Sequence, residues 1–267
     1  MAWSLSYNNI DLSTYGLYAQ RGAIPIDATA KRAAVSLAGR DGDLSSPTVW
    51  NARVFSIPCI VQAATPTALQ TALDNIALAL NEQEDCALKL DGAISDRYWL
   101  ARYVGGGGPE ALSPCTAAWT LNFVADDPHA YSTTESTATA TLTAKAGGTS
   151  ETKAATVGGS DFAYPDIEIV ASTATNQVKV ANEALSQYAL WTSPATADNL
   201  ANGDTIRFRS DRRYLIVDIK RSGADSYIES MAGFDGRFVA MSPGASNTIT
   251  IWNIDGALTI RWRNRYL

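Results

Sequence analysis

The chain has 267 residues, of which 46% are hydrophobic and 18% charged, with a formal net charge of −6. That length suits one large domain or two ordinary ones, and the apolar content builds a core and excludes global disorder. The acidic balance, carried mostly by residues 1–130 (13 acidic and 8 basic groups), argues against nucleic acid as a main partner, because phosphate binding needs a basic surface.

Met1-Ala2-Trp3-Ser4-Leu5-Ser6-Tyr7 lacks the basic start and apolar stretch of a secretory signal. No run approaches the roughly 18–20 apolar residues of a membrane span. Synthesis in the cytosol is expected. Phe55, Ile57, Cys59 and Val61 share one face of a strand over Arg53–Gln62. Pro58 lacks an N–H, so this strand is expected at an edge or with a bulge, open to a neighbouring subunit. Thr65 as N-cap, Pro66 at the first helical position and an apolar stripe of Leu69, Leu73, Ile76 and Leu80 predict a helix ending at Asn81. Strands follow over Cys86–Leu90, Tyr98–Val104 and Ala117–Val124. The last two are separated by Gly105-Gly106-Gly107-Gly108-Pro109, which reads as a loop inside the domain.

A boundary is placed near Tyr131. Residues 132–163 collapse to Ser, Thr, Ala and Gly and read as a linker, an arm or a weak outer strand, with a polar hairpin conceivable around Ala138–Ala144. From Tyr164 the pattern is all β. Candidate strands are Asp166–Ala171, Gln177–Ala181, Gln187–Trp191, Thr205–Arg209, Tyr214–Ile219, Tyr227–Met231, Arg237–Met241, Thr248–Asn253 and Leu258–Arg263. Their spacing and turn residues suggest a sandwich, with Asp255-Gly256 as a hairpin turn. The fold class is therefore mainly β: an α+β domain with one main helix over 1–131, and an all-β sandwich over 164–267.

Chemistry is sparse. The one histidine, His129, lies beside Asp126 and Asp127 in what reads as a turn closing a strand. No G-x-S-x-G elbow, phosphate loop or regular calcium loop occurs, although Asp41, Asp43 and Asp91 lie near glycines. Cys59, Cys86 and Cys115 lack C-x-x-C spacing and read as three buried thiols. No catalytic residue, cofactor or metal site is expected. Trp191, Trp252 and Trp262 sit on the sandwich, where an exposed Trp is a stacking platform for sugars. Trp191 is the candidate glycan contact, whereas Trp252 and Trp262 alternate with polar residues and are expected to point inward. Arg261, Arg263 and Arg265 form a basic face, either solvated or in contact with an acidic partner.

Three segments in order carry a family resemblance. They are Ala38-Gly39-Arg40-Asp41-Gly42-Asp43-Leu44, Asp96-Arg97-Tyr98-Trp99-Leu100-Ala101-Arg102-Tyr103, and Asn122-Phe123-Val124-Ala125-Asp126-Asp127-Pro128-His129-Ala130-Tyr131. With the strand Lys31–Leu37 and the helix between them, they resemble the first half of the distal tail (Dit) proteins of long-tailed bacteriophages. Tyr164-Pro165-Asp166-Ile167-Glu168-Ile169 and Met241-Ser242-Pro243-Gly244-Ala245-Ser246-Asn247-Thr248-Ile249 resemble the opening strand and the "L-x-P-G-x-N-x-I" turn of the galectin-like or carbohydrate-module-like sandwich that ends many members, with one extra residue before Asn247. The resemblance implies a non-enzymatic virion protein forming a hexameric ring at the tail tip. Its partners would be the tail tube protein and the tail hub or tail-associated protein, with DNA passing through the channel without specific binding and no membrane contact. The alternative is a carbohydrate-binding module that attaches to host glycans through the second domain, although the histidine and W-G pair of galectin sugar sites do not occur after residue 131.

Overall fold

The computed structural model describes residues 3–20, 30–31, 34–36, 43–45, 49–91, 96–143, 149–210, 215–237 and 239–267. The expected Arg40-Asp41-Gly42 turn lies outside these residues, as does part of the Lys31–Leu37 strand. The chain divides into two compact units, Met1–Thr133 together with Leu267, and Thr134–Tyr266.

The first unit is built on the pairing of Arg53–Gln62 with Thr116–Ala125, antiparallel and in register over ten residues from Thr116 opposite Gln62 to Ala125 opposite Arg53. Alternation puts Phe55, Ile57, Cys59 and Val61 on the inner face with Ala117, Trp119, Leu121 and Phe123, all buried. The sheet runs in the order Ile10–Asp11, Ser4–Tyr7, Cys86–Asp91, Arg97–Gly105, Thr116–Ala125, Arg53–Gln62, Leu17–Ala19. Aromatic rings lock its inner face: Phe55 meets Trp99 edge-on at 5.2 Å, and Phe123 sits 5.2 Å from Tyr7 and 5.5 Å from Tyr103. Burial pushes the Tyr7 hydroxyl up to about 12 and the Cys59 thiol likewise to about 12. Of the three cysteines only Cys59 is buried; Cys86 and Cys115 are half-buried, which corrects the expectation of three buried thiols.

The helix spans Pro66–Leu80. Thr65 accepts the Ala68 N–H at 3.1 Å and satisfies one of the helix's orphan donors. The buried stripe is Leu69, Ala72, Ile76, Ala79 and Leu80, with Leu73 at its half-buried margin.

Pro58 does not mark an edge strand. Arg53–Gln62 has a neighbour on each side. The Pro58 carbonyl accepts the Gln20 N–H at 2.8 Å, just past the end of Leu17–Ala19. In an antiparallel ladder a residue's N and C=O point to the same side. The missing N–H is therefore on the side where the short strand stops, and the long ladder to Thr116–Ala125 loses no hydrogen bond.

The second unit is a sandwich of two antiparallel sheets. One runs Ser136–Thr143, Asp255–Trp262, Asp166–Ala171, Thr205–Ser210, Leu215–Lys220, Ile228–Glu229. The other runs Ser150–Thr156, Ser246–Trp252, Gln177–Asn182, Gln187–Thr192, Phe234–Gly236. Between them lie Ile167, Ile169, Val178, Val180, Trp191, Phe208, Ile249, Ile251, Leu258 and Ile260.

Of the linker, arm and outer-strand readings of the Ser/Thr/Ala/Gly-rich segment, its described residues take the outer-strand form, once in each sheet. Ser136–Thr143 pairs with Asp255–Trp262, and Ser150–Thr156 pairs with Ser246–Trp252. These are the outermost strands of the two sheets, and they bury only Leu142 and Ala155. Small side chains suffice at a sandwich margin, where each strand has a ladder on one side only. Asp255-Gly256 is likewise not a hairpin turn. The strands before and after it belong to different sheets, and the corner is made by Asn253 in the left-handed region (φ 67°). The strand expected over Arg237–Met241 runs through Phe238, outside the described residues; a strand lies just before it at Phe234–Gly236, and Met241 bridges Ala163.

Candidate functional site

The residues alternating with the first unit's core form its outer sheet face. Val54 stands opposite Val124, Pro58 opposite Thr120, and Ile60 opposite Ala118 and Tyr18. Val54 is 59% exposed and Tyr18 38%. Next to them Arg97–Gly105 bulges between Tyr103 and Gly105, and Gly105 adopts φ 108°. A Cβ on Gly106 would sit 2.0 Å from the Thr120 carbonyl oxygen, so only glycine passes there. Glu110–Ser113 then folds back along Ala117 and Ala118. Every residue of that strand is exposed, including Leu112, and Val104 on the approach is exposed too. The glycine run is thus a loop inside the first unit that launches a projecting strand, which the sequence did not suggest. The unit presents a partly apolar surface made from one sheet face and one hairpin.

The Asp-Asp-Pro-His segment folds into a buried clasp. Asp127 Oδ1 lies 2.6 Å from His129 Nδ1 and accepts the His129 N–H at 3.2 Å, while Oδ2 accepts the Tyr131 hydroxyl at 2.5 Å. Tyr131 stacks on Tyr98 at 5.8 Å, because Arg97–Trp99 pairs with Ala130–Ser132. Both oxygens of the carboxylate are occupied in tying a turn to a strand, the arrangement expected of a structural carboxylate. Among the described residues no group of three His, Cys, Asp or Glu side chains is placed to hold a metal ion.

Trp191 is fully buried in the sandwich core, and its indole N–H donates to Ser230 Oγ at 3.1 Å. Stacking a sugar needs an open ring face, so Trp191 is corrected from candidate glycan contact to core residue. Trp262 is also buried, while Trp252 is half-buried and carries Lys179 Nζ 4.5 Å over its ring.

The three arginines do not form one solvated face. Arg261 reaches both carboxylate oxygens of Glu168 at 3.4 Å, and this hydrogen bonding holds its guanidinium charged. Arg265 is 5% exposed. It donates to the Phe162 carbonyl at 3.0 Å, pairs with Asp161 at 3.2 Å and lies 5.0 Å over the Tyr164 ring. It fastens the chain end to the segment ahead of the sandwich, which removes it from a partner-facing role. Arg263 is half-buried.

No protein-family model matches the chain, and no curated protein does. Solved structures do. The Dit protein (gp 19.1) of phage SPP1, described as a paradigm of the hub adsorption apparatus in phages infecting Gram-positive hosts, matches over 100% of both chains with a TM-score of 0.75 and 17% identity. A chain of the phage P2 baseplate in its activated conformation with Ca matches over 99% of this chain and 98% of that one, with a TM-score of 0.59 and 8% identity. The p2 baseplate in its activated conformation with Sr gives 0.56 at 8% identity, over 97% of each. The chain has the fold of phage distal tail and baseplate proteins from end to end.

Proposed function

We propose that this protein is a structural, non-enzymatic component of the virion, the distal tail subunit of a long-tailed phage, and that it forms a ring joining the tail tube to the hub that carries the adsorption apparatus. The observation that carries this reading is the fold match to the SPP1 Dit protein over the whole of both chains. Both units take part in the match, so a shared single module does not account for it.

The physical character of the first unit supports assembly. Val54, Tyr18, Val104 and Leu112 leave large apolar side chains in water, and burying such side chains against a neighbouring subunit favours association. Head-to-tail contacts between identical subunits close into a ring when the rotation fits, and six copies is the order proposed here. The acidic excess of residues 1–130 suits a channel that DNA crosses without adhering, since a negative wall repels phosphate. In this reading the tail tube protein and the tail hub protein are the partners on the two faces of the ring.

Light scattering on the purified chain, followed by negative-stain imaging, tests the proposal. The expected species has six times the 28.5 kDa mass of one chain and appears as a ring with a central hole. A particle that stays monomeric at high concentration, both alone and mixed with the tail tube protein, overturns it.

A further inference from the structure

The two sheets of the second unit end differently on their two sides. On one side the last strands are Ile228–Glu229 and Phe234–Gly236, two and three residues long. End strands this short offer little backbone to an added chain. On the other side they are Ser136–Thr143 and Ser150–Thr156, eight and seven residues long. Among the described residues no strand pairs with the far edge of either. Thr143 donates its N–H at 3.1 Å and its hydroxyl to Glu151 Oε1, so the two long edges lie together. That N–H is turned away from the ladder with Asp255–Trp262. By alternation Thr137, Thr139 and Thr141 present their N–H and C=O groups to the open side. Ser136–Thr143 contains no proline, glycine or charged residue, so it lacks the usual protections of an edge.

Ser150–Thr156 says what fits there. Ala155 belongs to the core, and Lys153 and Glu151 share its face, opposite the core residues Ile249 and Ile251. Both are half-buried, and Lys153 has no ion-pair partner among the described residues. An inward lysine alone rejects an added strand, because its charge would be buried without a counter-charge. An acid two residues before it changes the outcome for one strand, its own copy. Run antiparallel about Thr152, the strand sets Glu151 of each chain opposite Lys153 of the other, twice. Opposite charges directly across a ladder stabilise it, and like charges destabilise it. A strand with neutral inward side chains leaves both charges unpaired, so the same two residues discriminate against other chains. Ser136–Thr143 meets its own copy with threonine against threonine on the outer face and Ala or Leu inside, which keeps the inner face inner. One two-fold axis normal to the stacked sheets continues both of them.

We infer that the sandwich pairs with a second copy of this chain through these open edges, held by reciprocal Glu151–Lys153 ion pairs. The pairing does not rest on the proposed ring, and a covalent readout keeps the two apart. In the full chain, Thr152→Cys places two thiols across the axis at about 5 Å between Cα atoms, a span that a disulfide bridges. Mild oxidation at ~100 μM protein, where contacts of micromolar Kd are occupied, is expected to give a cross-linked dimer on a non-reducing gel. Wild type, with its three native cysteines, and Thr156→Cys, at the far end of the strand, are expected to stay uncross-linked. Adding Lys153→Glu to Thr152→Cys faces acid with acid twice, and the cross-linked fraction is expected to fall about tenfold. Adding Glu151→Lys as well restores opposite charges, and the cross-link returns. Circular dichroism checks the fold of each variant. If Lys153→Glu does not fold, Glu151→Lys alone makes the same comparison with lysine facing lysine. No dimer from Thr152→Cys overturns the inference. So does an equal dimer from Thr156→Cys, or a folded charge-swapped variant that stays uncross-linked. A ring whose Thr152→Cys subunits do not cross-link removes this pairing alone, and a cross-linked dimer without a ring removes the ring alone.

Discussion

Asn247 shows what a single polar side chain does in the sandwich. It is 3% exposed. Its Oδ1 accepts from the Ser242 N–H at 2.7 Å and from Asn182 Nδ2 at 3.1 Å, while its Nδ2 donates to the Ser242 and Ala245 carbonyls. The Pro243-Gly244 turn is clamped by this one amide, which is why an Asn follows it. Replacing Asn247 by Ala orphans several buried partners at once. The expected cost is about 2–3 kcal/mol in urea unfolding, against less than half of that for an exposed neighbour such as Ser246→Ala. Asp204 plays the same part at another turn. Burial opposes its ionisation, yet donors from Ala201, Arg221 and Ser222 at 2.7–2.9 Å hold its carboxyl below the usual range. A depressed carboxyl stabilises the fold above the ordinary carboxylate pKa of about 3.9, and the effect disappears as pH falls through the folded value. Asp204→Asn is therefore expected to lose about 2 kcal/mol at pH 7, with the gap to wild type narrowing in acid. An equal gap in neutral and acid solution contradicts that assignment.

At the scale of elements, the helix was fully legible. A cap, a first-turn proline and a 3.6-residue apolar period are local signals, and they set both ends of Pro66–Leu80. Thr65→Ala is expected to cost about 1 kcal/mol, read from the urea midpoint. The glycine run was legible only as a break. Its four glycines are not equivalent, because Gly106 abuts the Thr120 carbonyl while Gly107 faces open space. Gly106→Ala is expected to displace the hairpin and cost about 1–3 kcal/mol, whereas Gly107→Ala is tolerated. Hydrogen exchange across Glu110–Ser113 separates the two. Pro58 was misread as an edge marker because a sequence does not reveal which side of a strand its missing N–H faces. The Asp255-Gly256 turn was misread for a related reason: the residues on each side alternate as in a hairpin, but they pair in different sheets.

For the whole molecule, the two units have separate cores, so residues 134–267 expressed alone are expected to unfold cooperatively and keep the sheet spectrum of the intact chain. A featureless circular dichroism spectrum for that fragment contradicts the division. Assembly is tested by Val54→Asp. The side chain is 59% exposed, so the thermal midpoint of the isolated chain should not move. Its burial in a ring contact is worth roughly 1.5 kcal/mol, and association is expected to weaken by about tenfold or more. Unchanged particle mass in that variant removes this sheet face from the interface.

The sequence by itself determined the helix and the inner faces of the long strands Arg53–Gln62 and Thr116–Ala125, since helical periodicity and alternation record which side chains leave water. The turn expected at Asp126-Asp127-Pro128 was legible as well, and the Asp127–His129–Tyr131 clasp forms on it. Only the tertiary structure decided which strands are neighbours. That is how a Thr- and Ala-rich stretch was settled as an outer strand in each of the two sheets, how Trp191 went to the core, and how Arg265 was taken out of solvent. A small surface cavity of the second unit, lined by Ala174, Thr175, Asn176, Gln177, Asn199 and Asn253, has the same origin. Ala174–Gln177, Asn199 and Asn253 are up to 79 positions apart in the chain, and amides carry no periodic signal. They converge because the sandwich crosses between its sheets at Asn253, a contact set by long-range packing and by no local preference.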